Sequence, residues 1–174
     1  MESALIDPSQ IQIEVAVQIE DLDGQAVPDL PWQDWFQIWI QQLQPQRSPI
    51  GAYEVGLQLT SDRQIQQLNH QYRSKAVPTD VLAFAALEDK APLAADFLIS
   101  QPLYLGDIVI SLETAAVQAQ QQAHSLIREI AWLATHGLLH LLGWDHPDEV
   151  QLDQMLFQQQ QLLQALVLAD ISHG

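Results

Sequence analysis

The chain has no cysteine among its 174 residues. That excludes a disulfide scaffold, a thiolate nucleophile and any zinc site built on sulfur, so metal chemistry would have to use histidine and carboxylate. Basic residues are scarce: 6 Lys and Arg stand against 22 Asp and Glu, a formal net charge of −16. A surface of that sign repels nucleic acid and anionic lipid as a whole, which excludes a general-purpose DNA coat protein. No apolar run approaches the roughly 18 residues of a membrane-spanning helix, and Met1-Glu2-Ser3-Ala4 lacks the basic and apolar regions of a signal peptide. The expected location is the cytoplasm, with neither membrane nor DNA as a partner. Charge of either sign is also thin, at 16%. Glutamine takes its place, in Gln41-Gln42, Gln120-Gln121-Gln122 and Gln158-Gln159-Gln160-Gln161. These short runs sit inside helical patterns and read as polar helix faces rather than a low-complexity tract.

What is present is apolar content of 48%, enough to fill a core in a chain of this length, so one domain over residues 1–174 is expected, with 1–10 as a loose N-terminus. Ile11, Ile13, Val15, Val17 and Ile19 alternate with mostly polar neighbours, the period of a half-buried strand. From Trp32 to Leu43, apolar residues recur every three or four positions after Pro31, which predicts an amphipathic helix with its tryptophans in the core. Tyr53 to Leu59 alternates again, and Ser61 then serves as N-cap of a helix whose face is Ile65, Leu68, Asn69 and Tyr72. A short strand follows at Val81-Leu82-Ala83-Phe84, then a surface excursion over 88–102, then a strand from Leu103 to Ser111. The remaining third is helical, broken near His124-Ser125 and at Gly143, with a last helix from about Glu149 to Leu168. Strands first and helices after give an α+β fold.

The chemistry concentrates in Thr135-His136-Gly137-Leu138-Leu139-His140-Leu141-Leu142-Gly143-Trp144-Asp145-His146. His136 and His140, four residues apart, project from one helix face about 6 Å from each other. Both imidazoles can then reach one ion at bonds of about 2.0–2.1 Å. Gly143 can end the helix and turn the chain so that His146 comes back over the same face. The expected product is a three-histidine Zn²⁺ site, one ion per chain, with a position open to water. A closed structural zinc completed by Asp145, Asp148 or His124 is the competing reading. The spacing coincides with that of the metzincin proteases, except that Gly137 replaces the glutamate that takes the proton from water, which disfavours peptide hydrolysis by that route. Gly137 itself implies either close packing or room for a ligand. Asp145 could orient an imidazole or act as general base, or it could be a turn aspartate.

A metal of this kind suits a phosphodiester, provided a cation holds another phosphate oxygen. Four of the six cations, Arg47, Arg63, Arg73 and Lys75, fall between residues 47 and 75. Arg73 follows a helix and precedes Pro78-Thr79-Asp80, a place from which a guanidinium could reach phosphate, although a solvated surface arginine fits the same position.

The segment His136 to His146 resembles the signature of the bacterial YbeY endoribonuclease family, His-Gly-x-Leu-His-Leu-x-Gly-Tyr/Trp-Asp-His. Asn69-His70-Gln71-Tyr72-Arg73, Thr79-Asp80-Val81-Leu82-Ala83-Phe84 and Leu105-Gly106-Asp107-Ile108 resemble three further blocks of that family. Ala83 and Ala85 depart from its usual serine and proline. The resemblance spans about residues 11–165, and the acidic, glutamine-rich composition is similar to that of cyanobacterial members. It implies a small mixed four-stranded sheet packed against about five to six helices, with the metal at the edge of a cleft. It also implies a zinc-dependent, single-strand-specific endoribonuclease acting in ribosomal RNA processing, at the 3′ end of the small-subunit RNA, and in ribosome quality control. Single-stranded ribosomal RNA and the ribosome or its associated proteins are then the partners. Carried over by position, His136, His140 and His146 are the zinc ligands and Arg73 is the catalytic or RNA-contacting arginine. A metallopeptidase-like hydrolase and an assembly factor with structural zinc are the alternatives.

Overall fold

The structure is a computed structural model describing residues 6–73, 79–86 and 99–173, with the side chains of all these except 72, 73 and 168–173. Four strands form one mixed sheet: β1 (Gln12–Ile19), β2 (Ala52–Thr60), β3 (Val81–Ala85) and β4 (Leu103–Ser111), in the order β1-β2-β4-β3. β1, β2 and β4 run parallel, and β3 is antiparallel to β4. Besides a short 3-10 turn at Pro8–Gln10, the main helices described are α1 (Trp32–Leu43), α2 (Asp62–Arg73), α3 (Leu112–Gln121), α4 (Leu126–Leu141) and α5 (Glu149–His173). This is the α+β arrangement anticipated above.

The two faces of the sheet have different fates. Tyr53, Val55, Leu57 and Leu59 of β2, with Leu103, Leu105, Ile108 and Ile110 of β4, point into the main core shared with α1, α3, α4 and α5. The step from Leu105 to Ile108 breaks strict alternation because the β2–β4 register shifts there, and that slip keeps both halves of β4 facing the core. On the opposite face, α2 covers one end by packing Ile65 against Leu82 and Val109. The rest of that face is an open cavity of about 750 Å³ lined by Glu54, Tyr104 and Asp107 among others. There, burial and the neighbouring Asp107 push the Tyr104 phenol pKa upward.

α1 has the predicted bounds, and its stripe is core: Trp32, Phe36, Trp39 and Ile40 are buried, with the Phe36 and Trp39 rings 5.0 Å apart. Burial of each such side chain contributes about 1.5–3 kcal/mol. Trp39 Nε1 donates to the Leu162 carbonyl at 3.1 Å, fastening α5 to α1. β1 departs from expectation. Ile11 and Ile13 are buried, but Val17 and Ile19 are 41% and 54% exposed, because β1 is an edge strand that α1 covers only at its beginning. Along that covered stretch, Gln33 and Gln37 accept from the N–H groups of Val15 and Ile13 and donate to the carbonyls of Ile13 and Ile11. Glutamine amides thus complete the hydrogen bonding of the free edge. Most of the excursion expected at 88–102, and the first residues of the chain, lie outside the described residues.

Candidate metal centre

α4 is the element that builds the site. Ser125 caps it by accepting the Arg128 N–H at 3.1 Å, and ten of its residues are buried between β3, β4, α3 and α5. It stops at a left-handed Gly143, φ +96°. The Trp144 N–H reaches back to the Leu139 carbonyl at 2.9 Å and the Gly143 N–H to that of His140 at 3.0 Å, the paired bonds of a Schellman stop. Arg47 donates to the Leu142 carbonyl at the same helix end, closing a carbonyl the helix leaves open. The turn carries the chain back over the helix face and delivers His146.

His136, His140 and His146 each offer one ring nitrogen, and these nitrogens lie within 4.8 Å of one another. His136 and His140 are half-buried and His146 is exposed. The Nε2 atoms of His136 and His140 are 3.1 Å apart. Two nitrogens bound to one tetrahedral ion at about 2.05 Å stand about 3.3 Å from each other, so the pair is already spaced as two ligands. The remaining nitrogens explain which atoms face the centre. His136 Nδ1 faces Gln159 Oε1 at 3.4 Å, and His140 makes a backbone hydrogen bond with Trp144. Gln159 is fully buried on α5, and its amide orientation is set by donation from Nε2 to the Trp132 carbonyl at 3.3 Å. With the protons on those outer nitrogens, both Nε2 lone pairs would point inward, the arrangement that a bound cation requires. Burial lowers the pKa of both rings. The neighbouring histidines lower that of His140 further, while Gln159 and Asp80 partly oppose the shift at His136. Neutral imidazole is the form that binds metal.

The three rings open into a cleft of about 610 Å³, walled on the other side by Asp80 and by Val81, Ala83 and Ala85 of β3. The two alanines named above as departures stand in this wall. Asp145 lines the cleft as well, but its Oδ1 accepts the His146 N–H at 2.8 Å, so it shapes the turn that presents the third histidine. Among the described residues the group has three members. None of the three suggested fourth ligands joins it: His124 pairs with Glu129 at 2.5 Å, Asp148 accepts the Gln151 N–H at 2.8 Å, and Asp145 is engaged as described. Gly137 resolves in favour of close packing. A Cβ there would stand 2.6 Å from Ile108 Cγ2, on the side of α4 that faces the sheet.

Of the four cations between residues 47 and 75, Arg47 and Arg63 have described side chains, and both are engaged elsewhere. Arg63 pairs with Asp21 at 2.5 Å, and Arg47 is spent on the end of α4. Arg73 is the last residue of α2, with Thr79 and Asp80 of the cleft following after 74–78; its side chain, and Lys75 altogether, lie outside the described residues.

The family model for Endoribonuclease YbeY matches residues 18–167. The chain belongs to the YbeY endoribonuclease family. Curated relatives named Endoribonuclease YbeY include one from Nostoc sp., 55% identical over 145 residues, which are 83% of this chain and 78% of that one. A second, from Picosynechococcus sp., is 48% identical over 159 residues, covering 90% of this chain and 96% of the relative. The solution structure of TM1509 from Thermotoga maritima shares the fold with a TM-score of 0.57 at 21% identity, over 92% of this chain and 93% of that one. The YbeY resemblance in the histidine block therefore extends to nearly the whole chain. Nothing in the sequence marks Gln159 or Asp80 as a contributor to the centre, and Arg47, counted there among the cations, serves the end of α4 instead. Gln159 sits in a run of four glutamines, and only its complete burial distinguishes it from the polar helix face around it.

Proposed function

We propose that the chain is a metal-dependent, single-strand-specific endoribonuclease that processes ribosomal RNA, with Zn²⁺ held by His136, His140 and His146. The observation that carries the reading is the convergence of three imidazoles on one point in an open cleft, with no fourth protein ligand among the described residues. Zn²⁺ bound there would supply Lewis-acid chemistry, lowering the pKa of water and neutralising charge that develops on a phosphate oxygen. The chain's own groups do the rest. Gln159 and the Trp144 backbone hold the His136 and His140 rings in the tautomer that leaves Nε2 free, and Asp80 and Asp145 are the carboxylates close enough to orient water or take up a proton. Arg73, six residues before Thr79 of the cleft wall, is assigned to hold the phosphate. Position 137 faces Ile108 and offers no base, which leaves peptide hydrolysis without its usual proton acceptor. Processing at the 3′ end of the small-subunit RNA, in association with the ribosome, follows from the family.

The test is cleavage of single-stranded and base-paired ribosomal RNA fragments by the purified chain, with chelation and metal return, and with His140→Ala as control for contaminating nuclease. Cleavage confined to single strands, lost in His140→Ala and restored to wild type by metal, is expected. Arg73→Ala is expected to lower the rate at least about a hundredfold, the scale of losing one transition-state donor. An unchanged rate removes the arginine from the mechanism.

A further inference from the structure

The histidine cleft does not end at Asp80. Beyond it a second depression of about 580 Å³ runs between α3, α4 and α5, and the Asp80 carboxylate lines both. The linings differ in kind. Gln121 and Gln122 at the end of α3 and Gln160 on α5 are exposed, and their amides have no protein hydrogen-bond partner among the described residues. The half-buried Trp132 indole forms part of the wall, and Arg128 is the cation of the lining. Both carboxylates are already engaged. Asp80 accepts the Val81 N–H at 2.8 Å and the Gln118 amide at 3.3 Å, and Glu129 lies 2.5 Å from His124 Nε2.

A phosphate entering this depression would meet two acidic groups, one of them paired with His124, and one guanidinium. A nucleobase would meet neutral amides and an aromatic ring. Each carboxamide presents a donor and an acceptor in one plane, matching the edge of a base, and an indole provides a surface on which a base stacks. We propose that the depression is a nucleobase subsite, resting on the endoribonuclease reading above, in which an unstacked base flanking the phosphate at the histidines lies along Trp132 and is held at its edge by Gln121, Gln122 and Gln160. Arg128 meets the adjoining backbone. A base locked in a duplex cannot enter, so the subsite supplies a physical reason for acting on single strands.

The test measures binding of a fluorescent single-stranded oligoribonucleotide, and of an abasic oligomer of equal length and charge, to the metal-loaded full chain. It compares wild type with the triple variant Gln121→Ala, Gln122→Ala, Gln160→Ala, whose positions are exposed. The variant is expected to bind metal and unfold as wild type does. Its affinity for the oligoribonucleotide should fall about tenfold, within the range of about 5- to 150-fold that losing one base contact produces, and its preference over the abasic oligomer should collapse. Quenching of tryptophan emission by the oligomer should be lost in Trp132→Phe. Wild-type affinity in the triple variant, or equal wild-type affinity for both oligomers, overturns the subsite and leaves RNA cleavage standing. A wild-type chain that neither binds nor cleaves RNA overturns both.

Discussion

Two imidazole nitrogens facing each other at 3.1 Å make the centre sensitive to single atoms. Gln159 Oε1 faces His136 Nδ1 and is placed to hold the His136 proton on the side away from the other histidines, and outer partners of this sort are worth about 10- to 100-fold in metal affinity. Gln159→Leu should therefore weaken zinc binding by that factor in a chelator-competition titration while leaving the far-ultraviolet dichroism unchanged. Protons act on the same atoms. The pKa values of His136 and His140 lie below the ordinary 6.5 because of burial, so between the folded-state values and 6.5 the unfolded chain holds more protons than the folded one. Stability of the metal-free chain should be fully present above about pH 6.5 and should decline as the pH falls through that window. Urea midpoints measured from pH 8 to 5 check this, and a midpoint independent of pH across the window in wild type would contradict it. The histidine triad was legible at this scale because its spacing is local. Gln159 was not, since nothing in its neighbours along the chain shows that it meets α4 from another helix.

At the scale of the element, α4 owes its function to two glycines with opposite duties. Gly143 sits at φ +96°, and a Cβ there would come 2.7 Å from Arg47 Nη2. A left-handed alanine costs about 1–2 kcal/mol, and the strained turn is the one that delivers His146. Gly137 lets α4 approach β4, where an added methyl would overpack by about 1–3 kcal/mol against about 1 kcal/mol of helix propensity returned. Both Gly143→Ala and Gly137→Ala should thus lower the urea midpoint, but Gly143→Ala alone should also weaken zinc binding, because it displaces His146 and Gly137→Ala does not. Equal effects on metal affinity would mean that the turn does not position His146. Helix bounds such as those of α1 were readable from period and breakers. The exposure of Val17 and Ile19 was not, because alternation marks a face without saying whether another element covers it.

For the whole molecule, a net charge of −16 leaves little attraction for RNA beyond the site itself. Two of the cations counted as a cluster along the chain are occupied, Arg63 by Asp21 and Arg47 by the end of α4. Among the described residues, few phosphate contacts remain available. Affinity for naked single-stranded RNA at physiological salt should be micromolar or weaker, with a logarithmic salt slope of about −0.7 for each phosphate engaged. Filter binding at several salt concentrations reads both quantities. Nanomolar affinity would show a basic surface that the charge distribution does not provide, whereas weak affinity leaves targeting to a bound partner.

The sequence by itself determined the candidate ligand set and the family. Lack of cysteine confined metal binding to histidine and carboxylate, and the ligand spacing, the helix stop and the period of each element are all local properties of the chain. Tertiary structure decided what depends on residues far apart in it. It made Gly137 a packing contact through Ile108, turned Arg47 into a cap for the histidine helix, buried Gln159 behind His136, and set Asp80 between the metal cleft and the amide-lined depression. Each of these arises where two or more elements meet, and local periodicity carries no information about which elements those are.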